Sequence, residues 1–224
     1  MPRRKTLLVT SEYYHVFNRS IAKEPIFLGV KDYLRFTNLI DFYRFKKPQI
    51  RLSHYNRLEK SLKEEFIRKL YNSGEKLVQI LAFSWMPNHY HLLLKQLEDS
   101  GISNFIRNLQ NSYAKYLNTK YQRSGSLFQE MFKATRIQTD EQLIHVVRYI
   151  HLNPVTDYLL KGVSELETYP WTSFPSYIAD LKSSFVETDF ILKLFKSSDK
   201  LKRFTYDQAD YQRKLARIKH LTLE

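Results

Sequence analysis

Apolar and aromatic positions first cluster at Tyr13-Tyr14-His15-Val16-Phe17-Asn18, a run closed by the polar Asn18-Arg19-Ser20, and this predicts a strand. From Lys31 to Phe45 the spacing becomes helical, with Tyr33, Leu34, Phe36, Leu39, Ile40 and Tyr43 on one face, until Pro48 ends the pattern. A charged stretch follows from Gln49 to Glu75, containing a helical segment at Leu58 to Tyr71 and a turn at Asn72-Ser73-Gly74. It reads as a surface insertion. Lys76 to Trp85 and His89 to Gln96 are strand-like runs separated by Met86-Pro87-Asn88, which predicts a hairpin. Ser103 to Tyr121 returns to helical spacing through Phe105, Ile106, Leu109, Tyr113, Tyr116 and Leu117, and Arg123-Ser124-Gly125-Ser126 makes a turn. Phe132 to Gln138 alternates again. Thr139-Asp140-Glu141-Gln142 offers N-cap residues for a helix over Leu143 to Leu152, expected to end near Asn153-Pro154.

The order strand, helix, strand, strand, helix, strand is the split βαβ pattern of ferredoxin-like domains. The expected fold is α+β, an antiparallel sheet with helices on one face and the other face open, plus a C-terminal helical extension. Residues 1–177 form the main domain, with the charged insertion at about 48–75. Residues 178–224 form the extension, with helices expected at Thr188 to Phe195 and from about Asp207 to Leu221.

Composition adds a partner class. The 224 residues are 43% hydrophobic and 15% aromatic, enough for a substantial core. Thirty-six Lys and Arg against 23 Asp and Glu give a net charge of +13 and a pI near 9.7, which favours a polyanionic partner, nucleic acid first. The absence of cysteine excludes disulfides, thiolate zinc sites and a cysteine nucleophile. The apolar run Leu7 to Val9 is too short for a signal-peptide core, and no segment approaches the roughly 18 apolar residues of a spanning helix. The expectation is a cytoplasmic protein, associated with the nucleoid when bound to DNA, with no membrane partner.

Two short segments carry the candidate chemistry. On a strand, residues two apart share a face, so His89 and His91 can approach one metal ion; the alternative is a pair of ordinary sheet-surface histidines. Tyr149 and Asn153, four apart on a helix, lie about 40° apart around its axis and can share one site. Otherwise Tyr149 is a partly buried aromatic and Asn153 a cap before Pro154.

Met86-Pro87-Asn88-His89-Tyr90-His91-Leu92-Leu93-Leu94 and Tyr149-Ile150-His151-Leu152-Asn153-Pro154-Val155 together resemble the REP-associated tyrosine transposases, relatives of the single-tyrosine insertion-sequence transposases of the HUH superfamily. Tyr14-His15-Val16-Phe17-Asn18-Arg19, Ser124-Gly125-Ser126-Leu127-Phe128-Gln129 and Tyr169-Pro170-Trp171-Thr172-Ser173 are similar to further recurrent segments of that family. The resemblance implies a nuclease that cuts single-stranded DNA by transesterification. Tyr149 would attack phosphorus and retain the 5′ end as a phosphotyrosine, leaving a free 3′ hydroxyl. Bond energy is conserved, so no nucleotide cofactor is needed. His89 and His91 match the paired metal ligands, Asn153 matches the third, and the ion is Mg²⁺ or Mn²⁺. Tyr90 departs from the usual apolar residue between the histidines and is expected to pack behind the sheet with its hydroxyl bonded.

A free tyrosine has a pKa near 10, so its phenolate needs a cation, a metal or a base. His145, four residues before Tyr149, is a candidate proton acceptor or phosphate contact, the alternative being a packed or solvated helix histidine; Lys115 or Arg107 could act electrostatically instead. Candidate DNA contacts are the basic arm Arg3, Arg4 and Lys5, then Arg19, Lys115, Arg123, Lys133 and Arg136, with Arg213, Lys214, Arg217 and Lys219 on the terminal helix. By resemblance the partner is single-stranded or hairpin DNA. A monomer is the expectation and a dimer with shared sites the alternative. Two other readings stand beside this one: a non-catalytic single-stranded nucleic-acid-binding protein, weakened by the lack of an RNP-like motif, and a metal-dependent hydrolase using water.

Overall fold

A computed structural model describes residues 6–46, 50–179 and 183–209. Four strands, β1 (Tyr13–Arg19), β2 (Val78–Met86), β3 (His89–Gln96) and β4 (Lys133–Ile137), form an antiparallel sheet in the order β2-β3-β1-β4. That order is the ferredoxin-like one. The α+β class, the hairpin and the four strands all agree with the pattern in the sequence. The register places Phe17 opposite His91, Arg19 opposite His89, and Lys133 opposite Phe17.

Alternation divides the sheet into two faces. Tyr14, Val16, Tyr90, Leu92 and Leu94 face α1 (Val30–Tyr43) and α4 (Gly101–Lys120), whose Phe36, Leu39, Ile40, Phe105, Ile106, Leu109 and Tyr113 complete one core. Gly101 begins α4 where a Cβ would collide with the Leu77 carbonyl. The two helices are also tied by Asp32, which is fully buried and accepts from the Leu28 amide, the Tyr116 and Tyr121 hydroxyls and Lys120 Nζ. Burial alone would raise its pKa; these four donors outweigh that and hold the carboxyl below its ordinary value. The charged insertion contains α2 (Leu52–Tyr55) and α3 (Lys60–Ser73), and its Tyr55 and Phe66 rings pack on Phe42.

The second face departs from the expectation of an open surface. There α5 (Asp140–Thr156) covers β2 and part of β3, burying Leu81, Ala82, Leu93 and Ile137 against Leu143, Val147 and Ile150. Thr139 caps α5 by accepting from the Gln142 amide at 3.1 Å. The helix does not stop at Asn153-Pro154 but runs through the proline to Thr156. In the last turn Pro154 forfeits only its own missing N–H, and the chain continues bonding through Asp157 N to Asn153 O at 3.0 Å.

The chain then returns to the same core. A 3₁₀ turn at Val163–Glu167, α6 (Pro175–Ile178), α7 (Asp189–Phe195) and α8 (Ser198–Tyr206) add Leu166, Phe174, Tyr177, Ile191, Phe195 and Leu201 around α5. Helix α7 falls where the sequence pattern placed one, whereas α8 does not. The expected helix from Asp207 to Leu221 lies almost wholly outside the described residues. Buried His151 bonds Ser173 Oγ at 2.8 Å, and the Tyr177 hydroxyl donates to the Leu81 carbonyl, fixing α5 and α6 to β2. No helix among the described residues is long and apolar enough to cross a membrane.

Candidate active site

His15, Phe17 and Arg19 of β1 share one sheet face with His89 and His91 of β3, because the register sets Arg19 across from His89 and Phe17 across from His91. Covering that face, α5 brings Tyr149 onto the cluster. Its ring meets His91 edge-on at 5.5 Å between centroids and His15 at 5.7 Å, while 41% of the residue stays exposed. The His89 and His91 rings lie 5.0 Å apart and nearly perpendicular. Tyr90 points to the other face, fully buried, and its hydroxyl accepts from Gln110 Nε2 at 2.8 Å, as its position between two inward histidines requires.

Each candidate ligand has one polar atom committed and another left over. His89 Nδ1 bonds Asn88 Oδ1 at 2.7 Å, so it carries the proton and Nε2 keeps a lone pair. His91 Nδ1 bonds His15 Nε2 at 2.9 Å, leaving its own Nε2. Asn153 Nδ2 donates to the Tyr149 carbonyl at 3.0 Å, leaving Oδ1. Burial pushes His89 and His15 down to about 4 and holds His91 well below the ordinary histidine value, with Arg19 adding to the effect at both His89 and His91. The imidazoles are therefore neutral at physiological pH, the form a metal requires. Two imidazole nitrogens and an amide oxygen suit a divalent ion in a partly open site. Among the described residues no group of three or more His, Cys, Asp or Glu is arranged to hold a metal.

Burial and then Asp157 raise the Tyr149 pKa, whereas Arg19 and the Asn153 side chain favour its phenolate. Among the described residues, Arg19 is thus a cation that acts on Tyr149. Lys115 and Arg107 belong to α4, which packs on the opposite face of the sheet, so neither can serve Tyr149 as the sequence reading allowed. His145 is likewise elsewhere: its Nδ1 bonds Arg148 Nη2 at 2.6 Å and its ring packs on Phe204 of α8. Four residues of helix leave a 40° difference, and α8 takes the side on which His145 lies.

Of the candidate DNA contacts, Arg19 and Lys133 are on the Tyr149 face or its edge, since Lys133 pairs with Phe17. Arg123 lies on the exposed loop that leads to Gln129, whose amide bonds the Arg19 carbonyl at 2.9 Å. Arg136 pairs with Tyr14, on the other face, and forms a 2.6 Å ion pair with Glu12. Arg3, Arg4, Lys5 and the cations after residue 209 lie outside the described residues. The residue that the sequence reading passed over is His15. Its signal was available in the alternation His15, Phe17, Arg19, but only the β1–β3 register shows that this series meets His91.

The sheet thus carries paired histidines on one strand with a tyrosine-bearing helix laid across them. Residues 50–153 match the family model described as transposase, IS200-like. The fold is similar to that of a solved REP-associated tyrosine transposase bound to a REP hairpin, with a TM-score of 0.56 and 14% identity, over 84% of this chain and 98% of that one. A comparison with curated proteins gives no match. The resemblance carried by the sequence motifs is thereby borne out, and the findings support a transposase-like role in processing DNA.

Proposed function

We propose that the protein is a metal-dependent single-stranded DNA endonuclease and strand transferase, which cleaves and rejoins DNA at hairpin-forming repeats through a covalent 5′-phosphotyrosine. The observation that supports this best is partly exposed Tyr149, whose ring meets His91 and His15 next to His89. His89 and His91 through Nε2 and Asn153 through Oδ1 would hold Mg²⁺ or Mn²⁺. When bound, such an ion neutralises charge on a nonbridging phosphate oxygen.

Tyr149 Oη forms the new bond to phosphorus as the bond to the 3′ oxygen breaks, and the released 3′ hydroxyl takes up a proton. The phenol proton leaves to solvent, which reaches the exposed part of Tyr149. Arg19 favours the phenolate that results and faces the charge of an arriving phosphate. Lys133 and Arg123 continue the cationic track beside it. Reversal by another 3′ hydroxyl rejoins strands without an external energy source.

The test is to incubate wild-type protein and Tyr149→Phe with end-labelled single-stranded hairpin libraries and Mn²⁺, followed by denaturing gels. A covalent adduct in the wild type alone is the expected result. Cleavage without an adduct would replace this mechanism by metal-activated water, and salt-sensitive binding without cleavage would reduce the protein to a nucleic-acid-binding module.

A further inference from the structure

We propose that His15 is a positioning residue that selects the metal-binding tautomer of His91 by accepting a hydrogen bond from His91 Nδ1–H. This rests on the metal-site reading above. The bond between the two ring nitrogens, 2.9 Å long, holds a single proton. If His15 Nε2 donated it, neutral His91 would carry its own proton on Nε2 and present a donor where a ligand is needed. If His91 Nδ1 donates, the Nε2 lone pair is free. Asn88 Oδ1 performs the same task for His89, since an amide oxygen can only accept. The pair is thus oriented by two neighbours, one from the turn before β3 and one from β1.

The position of His15 follows from the sheet. It pairs directly with Leu93 and therefore sits diagonally from His91 on the same face, where its ring stacks on His91 at 5.1 Å. The same ring meets Tyr149 edge-on at 5.7 Å. His15 accordingly does two things: it orients a ligand and forms one wall of the seat for the nucleophile. Substitution by Phe keeps the wall and removes the acceptor, whereas Gln places an amide near the position of Nε2. The two variants separate hydrogen bonding from packing.

Mn²⁺ binding is measured by calorimetry, without DNA, on the wild type, His15→Phe, His15→Gln and His89→Ala. The expected result is a loss of affinity of about 10–100-fold in His15→Phe, largely restored in His15→Gln. Equal affinity in wild type and His15→Phe would overturn the proposal. Failure of the wild type to bind Mn²⁺, or binding unchanged in His89→Ala, would instead overturn the metal-site reading. A second measurement uses only the wild type. Long-range ¹H–¹⁵N imidazole correlations at pH 7 should show His91 protonated at Nδ1, and protonation at Nε2 would reject the assignment even where a variant failed to fold.

Discussion

On one face of the sheet Tyr14, Val16, Tyr90, Leu92 and Leu94 meet α1 and α4 in an aromatic and aliphatic core. On the other, one residue along on each strand, stand His15, Phe17, Arg19, His89 and His91, of which His15 and His91 meet the Tyr149 ring. The same backbone serves both. Buried Asp32 on the first face has four donors within the protein, whereas on the second His89, His91 and Asn153 each keep a polar atom uncommitted. A satisfied carboxylate ties helices together; uncommitted lone pairs beside a partly exposed tyrosine are what the proposed metal site would use.

That contrast breaks most sharply at Tyr149. Tyr149→Phe should abolish adduct formation, by at least about 10³-fold, while shifting the thermal midpoint by only a few degrees, since the ring keeps its contacts with His15 and His91. An adduct of undiminished yield would place the nucleophile elsewhere. On the scaffold side, Phe36→Ala should cost about 3–5 kcal/mol in denaturant unfolding and leave the single-turnover rate of the folded fraction intact. A large loss of rate at full folding would show that the faces are not separable.

A smaller effect is expected at Asp32. Replacing it by Asn weakens the charge-assisted bonds from Lys120, Tyr116 and Tyr121, at a cost of about 2–3 kcal/mol in the same unfolding measurement, with DNA cleavage unaffected. The smallest effect is a dependence on pH at His151. This residue is fully buried against Phe174 and Tyr177, and burial lowers its pKa to about 3. The unfolded chain takes up a proton below about 6.5 and the folded chain does not, so stability is full above that pH and declines as pH falls towards 3. At pH 5 this amounts to about 2 kcal/mol. His151→Gln should remove one proton from the pH dependence of unfolding between pH 7 and 4, and an unaltered slope would refute the assignment.

His89 and His91 were legible because a period of two needs only the local strand, and Tyr149 with Asn153 because a spacing of four needs only the local helix. His15 was not, although it stands in a quoted motif, because its relevance depends on which β1 residue lies diagonal to His91. His145 and Lys115 illustrate the opposite case. Their charge and spacing suited the chemistry, but α8 claims the side of α5 on which His145 lies and the sheet itself stands between α4 and Tyr149. Pro154 looked like a stop signal, yet in a final helical turn it costs a single hydrogen bond, and the packing of Leu152 and Val155 in the second core carries the helix past it.

The sequence by itself determined the order of strands and helices and the placing of two imidazoles on one face of a strand, since each is a property of neighbours along the chain, and the net positive charge, which is composition alone. The tertiary structure decided which face α5 covers, which cation attends Tyr149 and which third histidine touches the pair. Those depend on strand register and helix docking, where contacts between residues tens of positions apart are set by the packing of both cores together.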